Sequence, residues 1–410
     1  MIKVKKTTDK TKIKFIDGGP AAVIGVTGAG VHCGLKPDKE LDAALFLSEK
    51  PCKTAAFFTT NKLLGAHIPV FREKLQAGGG LVSALLVNSK NANCSTGKQG
   101  ERDNIAVSAA LAKELGLPAE QVLFASTGVI GVRLPKDKIL SGLDALVTQH
   151  GKRGMANAAR AIMTTDTRPK SCAVEVEQGG RLYHIGGVAK GSGMIAPNLA
   201  TMFSFVFTDA DLPMALLKKI AAECVEESYN SILVDGDMSP NDTVLAMANG
   251  MSEVKLAASD EAGLALFKEA LGSVMKQLAM EIVRDGEGAT KVMHIEVNGA
   301  ASAADAKCIA RAIALSPLVK TAVFGMDPNW GRIISAAGAS GAKFDPLRAS
   351  LLIDGARVFK LGKPQQFKAK IMRKPDVFIQ LDAGLGSASA RFWSCDLSID
   401  YVKINAEYMT

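Results

Sequence analysis

A mixed α/β fold is predicted by two patterns that take turns along the chain. Three segments carry apolar side chains at helical spacing, and the stretches between them alternate apolar and polar residues as half-buried strands do. A third observation fits tight layering: glycine supplies 39 of the 410 residues, whereas aromatic side chains make up only 5%. That composition favours closely packed backbones over a ligand pocket walled with rings.

The first predicted helix covers 103–115, where Ile105, Leu111 and Leu115 fall at helical spacing and Gly116 follows as a C-terminal cap. Cys172, Val174 and Val176 alternate with polar neighbours, and Gly179-Gly180 turns the chain into a return strand through Ile185. Phe203, Phe205 and Phe207 form the next strand. A helix follows over 212–229, with Asp211 as N-cap and Pro213 in its first turn, and an apolar stripe through Leu217, Ile220 and Cys224. A long Ala/Leu/Met-rich helix is expected over 259–283. The polar stretch 284–291 then marks a junction before a strand at Met293, Ile295 and Val297. Leu397, Ile399 and Tyr401 alternate near the C-terminus and predict a last strand.

Charge and cysteine usage narrow the function classes. The formal charge is +8, but its one dense cluster, Lys3, Lys5, Lys6, Lys10, Lys12 and Lys14, contains no Arg and no interleaved ring. A solvated leader is expected rather than a nucleic-acid arm. Seven scattered cysteines without a CxxC pair argue against a disulfide framework or a structural zinc site. No apolar run approaches membrane-spanning length, so a cytoplasmic protein with neither nucleic acid nor membrane as partner is expected.

The familiar catalytic motifs fail on their context. The glycines of 25–34 (GVTGAGVHCG) lack the Gly-Lys-Ser/Thr of a P-loop and a following helix, and predict a tight turn between strands. The five histidines are dispersed, with no HExxH, and His184 and His294 fall on predicted strands as structural residues. Ser95 and Lys98 match Ser-x-x-Lys, but without the companion motifs of the acyl-enzymes that use it.

The segment 188–208 (VAKGSGMIAPNLATMFSFVFT) is more informative. A Gly/Ser/Pro/Asn loop runs straight into Thr201, and a buried strand begins at once. A threonine that cuts its own chain needs a small residue before it, here Ala200, a bend, here Pro197-Asn198, and a rigid continuation. Cleavage would free an α-amine with an ordinary pKa of about 7.7–8.0 beside the hydroxyl, so the residue can supply its own general base. A plain strand start is the ordinary alternative. Residues 122–131 (VLFASTGVIG) place a strand before a Gly-rich turn whose N–H groups, with a Thr hydroxyl, can form an oxyanion hole. In isolation a strand-terminating turn is the preferred reading.

Together these segments resemble one family, the ornithine acetyltransferases (glutamate N-acetyltransferases) of the cyclic arginine pathway. The resemblance spans nearly the whole chain, through AAFFTTN (55–61), NSKNANCSTG (88–97), STGVIG (126–131), MTTDTRPK (163–170), AKGSGMIAPNLATM (189–202), VDGDMSPNDT (234–243), DGEGATK (285–291), DPNWGRI (327–333) and YVKINAEYMT (401–410). It implies an αββα sandwich like that of the self-cleaving aminopeptidases, with a smaller second α/β domain. The expected division is 1–285 for the main domain, 286–395 for the smaller one, and 396–410 for a strand and tail returning to the active site.

The resemblance further implies autolysis between Ala200 and Thr201. The resulting α fragment 1–200 and β fragment 201–410 would stay together in an α2β2 assembly. Thr201 becomes the nucleophile, Thr127 and Gly128 the oxyanion hole, and Thr164, Lys190, Thr201, Glu287, Asn405 and Thr410 the substrate contacts. N-acetylornithine and glutamate carry both signs of charge, so Lys190 is matched to a carboxylate and Glu287 to an ammonium group. No metal or bound cofactor is implied, and acetyl-CoA is a second candidate donor. Phe203, Met238, Pro240 and His67 depart from the family pattern at positions that bear on acceptor preference. A self-cleaving aminopeptidase or amidase with the same nucleophile is the enzymatic alternative, and a non-catalytic basic binding protein the other.

Overall fold

The computed structural model describes residues 12–196, 202–367 and 370–407. Its organising element is the strand Ala43–Phe58. Along its first half it pairs with Val26–Val31 and Leu81–Asn88, and along its second with Thr243–Ala248. The register shifts between Leu47 and Cys52, a bulge that bends the strand and turns one nine-stranded sheet back over itself. Val122–Ser126 extends the first half beyond Leu81–Asn88. Phe203–Thr208, Arg181–Lys190, Lys170–Gln178 and Ile13–Ile16 extend the second.

The two halves stack face to face. Phe46 of the first lies 5.7 Å from Phe205 and 6.2 Å from Phe207 of the second, ring centre to ring centre. Leu85 and Leu123 share this inner core with Leu245 and Met247. Each fully buried Phe of this kind contributes about 1.5–3 kcal/mol relative to exposure. Outside the first half pack the helices Gly97–Leu115 and Leu143–Gln149, through Val107, Leu111, Leu143 and Leu146. Outside the second pack Met214–Glu227 and Glu261–Arg284, through Leu217, Ile220 and Phe267. Helix, sheet, sheet, helix is the αββα sandwich expected from the sequence.

A second sheet of seven strands contains Val292–Ala300, Asp376–Asp382 and Ala388–Cys395 at its centre. The helices Ala303–Leu315 and Trp330–Gly338 cover one face of it through Ile309, Ile313 and Ile333. Its edge strand, Ile232–Leu233, comes from before the long helix Glu261–Arg284 and leads back into the first sheet. Among the described residues no helix is long and apolar enough to cross a membrane, and all seven cysteines are free.

Three expectations need correction. Of the four glycines in 25–34, Gly28 and Gly30 lie inside a strand, Val26–Val31, rather than in a turn. A Cβ on Gly30 would sit 2.2 Å from the carbonyl oxygen of Asn157, so glycine there lets the helix Met155–Ala161 press directly on the strand. The helix expected over 212–229 begins at Met214, and Asp211 bonds Lys53 at 2.7 Å instead of capping it. The predicted C-terminal strand is a helix, Ile399–Glu407, none of whose residues is buried.

Candidate active site

The site forms where the strand Arg181–Lys190 ends. Lys190 closes that strand opposite Phe203, the first residue of the strand that follows Thr201. Thr201, Ala200 and Thr410 themselves lie outside the described residues. Lys190 is buried, and its Nζ donates to Thr164 Oγ1 at 2.7 Å and to Thr127 Oγ1 at 3.4 Å. Burial lowers the Lys190 pKa, and the nearby Lys170 lowers it further; Asp166, Asp242 and Glu287 oppose the shift.

Thr127 follows the strand Val122–Ser126 and begins the turn expected to form an oxyanion hole. Its N–H is committed to the Asn88 carbonyl at 3.0 Å, which leaves the hydroxyl as the donor it can offer. Gly128 has φ +133°, and a Cβ there would lie 2.2 Å from the carbonyl carbon of Lys90. Only glycine fits both the torsion and the space. Asn241 fixes this turn from behind, its Nδ2 donating to Ser126 O and Ala92 O at 2.6 Å each.

Glu287 and Asn405 form a second group. Asn405 Nδ2 donates to Glu287 Oε2 at 2.9 Å, and Glu287 N–H donates to Ser192 O at 2.9 Å. A Cβ on Gly193 would meet the Glu287 carboxylate at 2.5 Å, so the loop after Lys190 passes directly over that side chain. Thr127, Thr164 and Lys190 are thus joined by hydrogen bonds, as are Glu287 and Asn405, and the loop 190–193 links the two groups.

Beneath them lies an ionic network that the sequence did not single out. Lys170, fully buried, donates to Asp166 Oδ1 and Asp285 Oδ2 at 2.6 Å each. Asp166 also accepts the N–H groups of Thr164 at 3.0 Å and Gly191 at 2.7 Å, and Asp285 accepts from the N–H and hydroxyl of Thr167. Burial alone would raise the Asp166 pKa, but Lys190 and Lys170 outweigh it and hold the carboxyl at about 2. Asp166 therefore stays ionised and fixes both Thr164 and the backbone after Lys190. Its signal was present in the block MTTDTRPK, where a lone carboxylate sits among turn residues, but the second carboxylate on Lys170, Asp285, is 115 positions from that lysine.

Other residues weighed from sequence lie elsewhere. Lys98 pairs with Glu101 at 2.9 Å on the surface. His184 bonds Asp209 at 2.9 Å and His294 bonds Asp376 at 2.8 Å, both as strand residues with local partners.

Residues 27–410 match the ArgJ family. The chain belongs to that family. A relative from Gloeobacter violaceus, named arginine biosynthesis bifunctional protein ArgJ, is 44% identical over 405 residues, covering 97% of this chain and 99% of its own. A crystal structure of the protein of that name from Bacillus halodurans is 38% identical, with TM-score 0.48, covering 50% of this chain and 98% of its own. The ornithine acetyltransferase of Mycobacterium tuberculosis, solved with ornithine, is 36% identical, with TM-score 0.42, covering 45% of this chain and 98% of its own.

Proposed function

We propose that this member of the ArgJ family is a self-processing acetyltransferase of arginine biosynthesis, moving the acetyl group of N-acetylornithine to glutamate. The observation that carries the reading is the pairing of opposite charges across one loop. Lys190, buried against Thr127 and Thr164, and Glu287, under Gly193, give a zwitterionic amino acid a partner for each end.

In maturation, Thr201 Oγ attacks the Ala200 carbonyl carbon. The peptide C–N bond breaks as the hydroxyl proton passes to the Thr201 nitrogen, leaving an ester and a free α-amine. Water then cleaves the ester, giving the Ala200 carboxylate and the Thr201 hydroxyl. In turnover, that amine takes the hydroxyl proton while Oγ attacks the acetyl carbonyl of N-acetylornithine. The oxyanion is held by the Thr127 hydroxyl and the Gly128 N–H. The proton passes to the departing ornithine nitrogen, and acetyl-Thr201 remains. The glutamate amine attacks this ester, N-acetylglutamate leaves, and Thr201 is regenerated.

The cycle is complete with protein groups and the two substrates, and acetyl-CoA enters it as an alternative donor to Thr201. Thr410 joins the substrate contacts, the two fragments remain associated as α2β2, and the enzyme works in the cytoplasm. The test is a direct competition. Purified protein given N-acetylornithine and glutamate should form N-acetylglutamate far faster than it releases acetate or cleaves small peptides. Hydrolysis outrunning transfer would favour the self-cleaving amidase instead.

A further inference from the structure

One loop, residues 234–242, grips the chain on both sides of the proposed cleavage point. It joins the strand Ile232–Leu233 of the second sheet to Thr243–Ala248 of the first. On the upstream side, Asp235 accepts the N–H of Met194 at 2.7 Å and that of Ile195 at 3.0 Å. The Ile195 carbonyl accepts in return from the N–H groups of Val234 at 2.9 Å and Gly236 at 3.2 Å. Met194 has φ +54°, a left-handed conformation that a non-glycine residue keeps only where its surroundings impose it. On the downstream side, Asp242 accepts the Met202 N–H at 2.7 Å, and Thr243 N–H bonds the Met202 carbonyl at 3.2 Å.

The same loop reaches the oxyanion turn through Asn241, which holds the Ser126 carbonyl immediately before Thr127. It is itself tied to the second sheet. Lys320, a buried lysine from the helix Pro317–Phe324, donates to Val234 O and Cys395 O at 2.6 Å each.

We infer that the loop 234–242 is a splint for self-cleavage, in which Asp235 and Asp242 are positioning residues for the segment containing Ala200 and Thr201. The inference rests on the cleavage reading above. A hydroxyl reaches the preceding carbonyl only in a narrow near-attack geometry, and a misplacement of about 1 Å can cost about 10²-fold in rate. A segment anchored at one end would visit that geometry rarely. Here Met194 and Ile195 upstream, Met202 downstream and the oxyanion turn are all fixed to the same loop. A carboxylate that accepts two successive N–H groups is a stiff anchor, because each such bond is charge-assisted and the pair fixes direction as well as distance.

Asp235 provides the cleanest test, since its bonds to the upstream segment are to backbone N–H groups, and among the described residues its one side-chain partner is Tyr401 of the C-terminal helix. Full-length wild type, Asp235→Ala, Asp235→Asn and Asp237→Asn would be pulse-expressed, and the uncut fraction followed by intact mass, with thermal unfolding measured on each. Asp235→Ala should cut about 10²-fold more slowly than wild type. Asp235→Asn keeps one acceptor oxygen and should recover about tenfold of that loss, the effect of restoring one bond worth roughly 1.4 kcal/mol. Asp237, exposed on the same loop, should be replaceable without change. A merely structural role would lower the melting temperature without ordering the rates in this way.

If Asp235→Ala fails to fold, Asp235→Asn decides: cutting slowed about tenfold supports the splint, and wild-type speed overturns it. Wild-type speed in Asp235→Ala, or no rescue by Asn, also overturns it while leaving cleavage itself intact. A wild-type chain that stays whole would overturn both.

Discussion

Beside the first sheet, Asp166, Lys170, Lys190 and Asp242 are withdrawn from water, none more than 8% exposed. On the outer face of the second sheet, Arg391 meets Glu296 at 3.1 Å with the Arg391 side chain 65% exposed, and Arg284 and His294 share Asp376 at 2.8 Å in partly open surroundings. Both sets are rich in charge, yet of these groups only the first are taken out of solvent. Desolvating an ion costs several kcal/mol before any partner offsets it. A chain that concentrates four such groups at one strand end is using them for position and polarity rather than for net stability. That outer face of the second sheet keeps its ion pairs in water, over an apolar core that includes Ile309, Ile313 and Phe392.

The comparison can be broken most severely at Asp166. Asp166→Asn removes one carboxylate from Lys170 and from the neighbourhood of Lys190, leaving buried positive charge under-compensated. It should destabilise the protein by about 3–5 kcal/mol in denaturant titration. Acid sharpens the same point. The Asp166 carboxyl is held at about 2, below its ordinary 3.8, so its stabilisation is present above pH 3.8 and lost as pH falls through about 2. Wild type should lose roughly 2 kcal/mol over that window through this group, and Asp166→Asn should not. On the second sheet, Arg391→Ala should change stability by only about 0.2–1 kcal/mol, and less still in high salt. A loss there as large as at Asp166 would erase the distinction between the two regions.

How much of this was legible in the sequence depended on whether the controlling contact was local. Phe203, Phe205 and Phe207 alternate because alternate strand residues face the inner core, and that pattern is written in consecutive positions. Gly116 ends its helix in the left-handed region as its place after Leu115 suggested. Thr127, Gly128, Lys190 and Glu287 stood in recognisable blocks. By contrast, the strand Val26–Val31 was hidden because its glycines answer to a helix more than 120 residues later.

The C-terminal segment misled for a different reason. Leu397, Ile399 and Tyr401 alternate, but Ile399 and Val402 are also three apart, and both are more than 60% exposed. With no buried face, periodicity there carried no information about packing. The Asp166–Lys170–Asp285 network and the grip of Asp235 on Met194 and Ile195 are long-range contacts between turn residues, where sequence has no period to read.

All of the chemistry proposed for this site depends on Thr201 acquiring a free amine of its own. Intact mass of freshly purified wild-type protein reads that directly. Two species are expected, residues 1–200 and residues 201–410, the second beginning Thr-Met-Phe-Ser, while Thr201→Ala stays a single inactive chain. An unbroken 410-residue wild type that transfers acetyl at full rate would contradict the account.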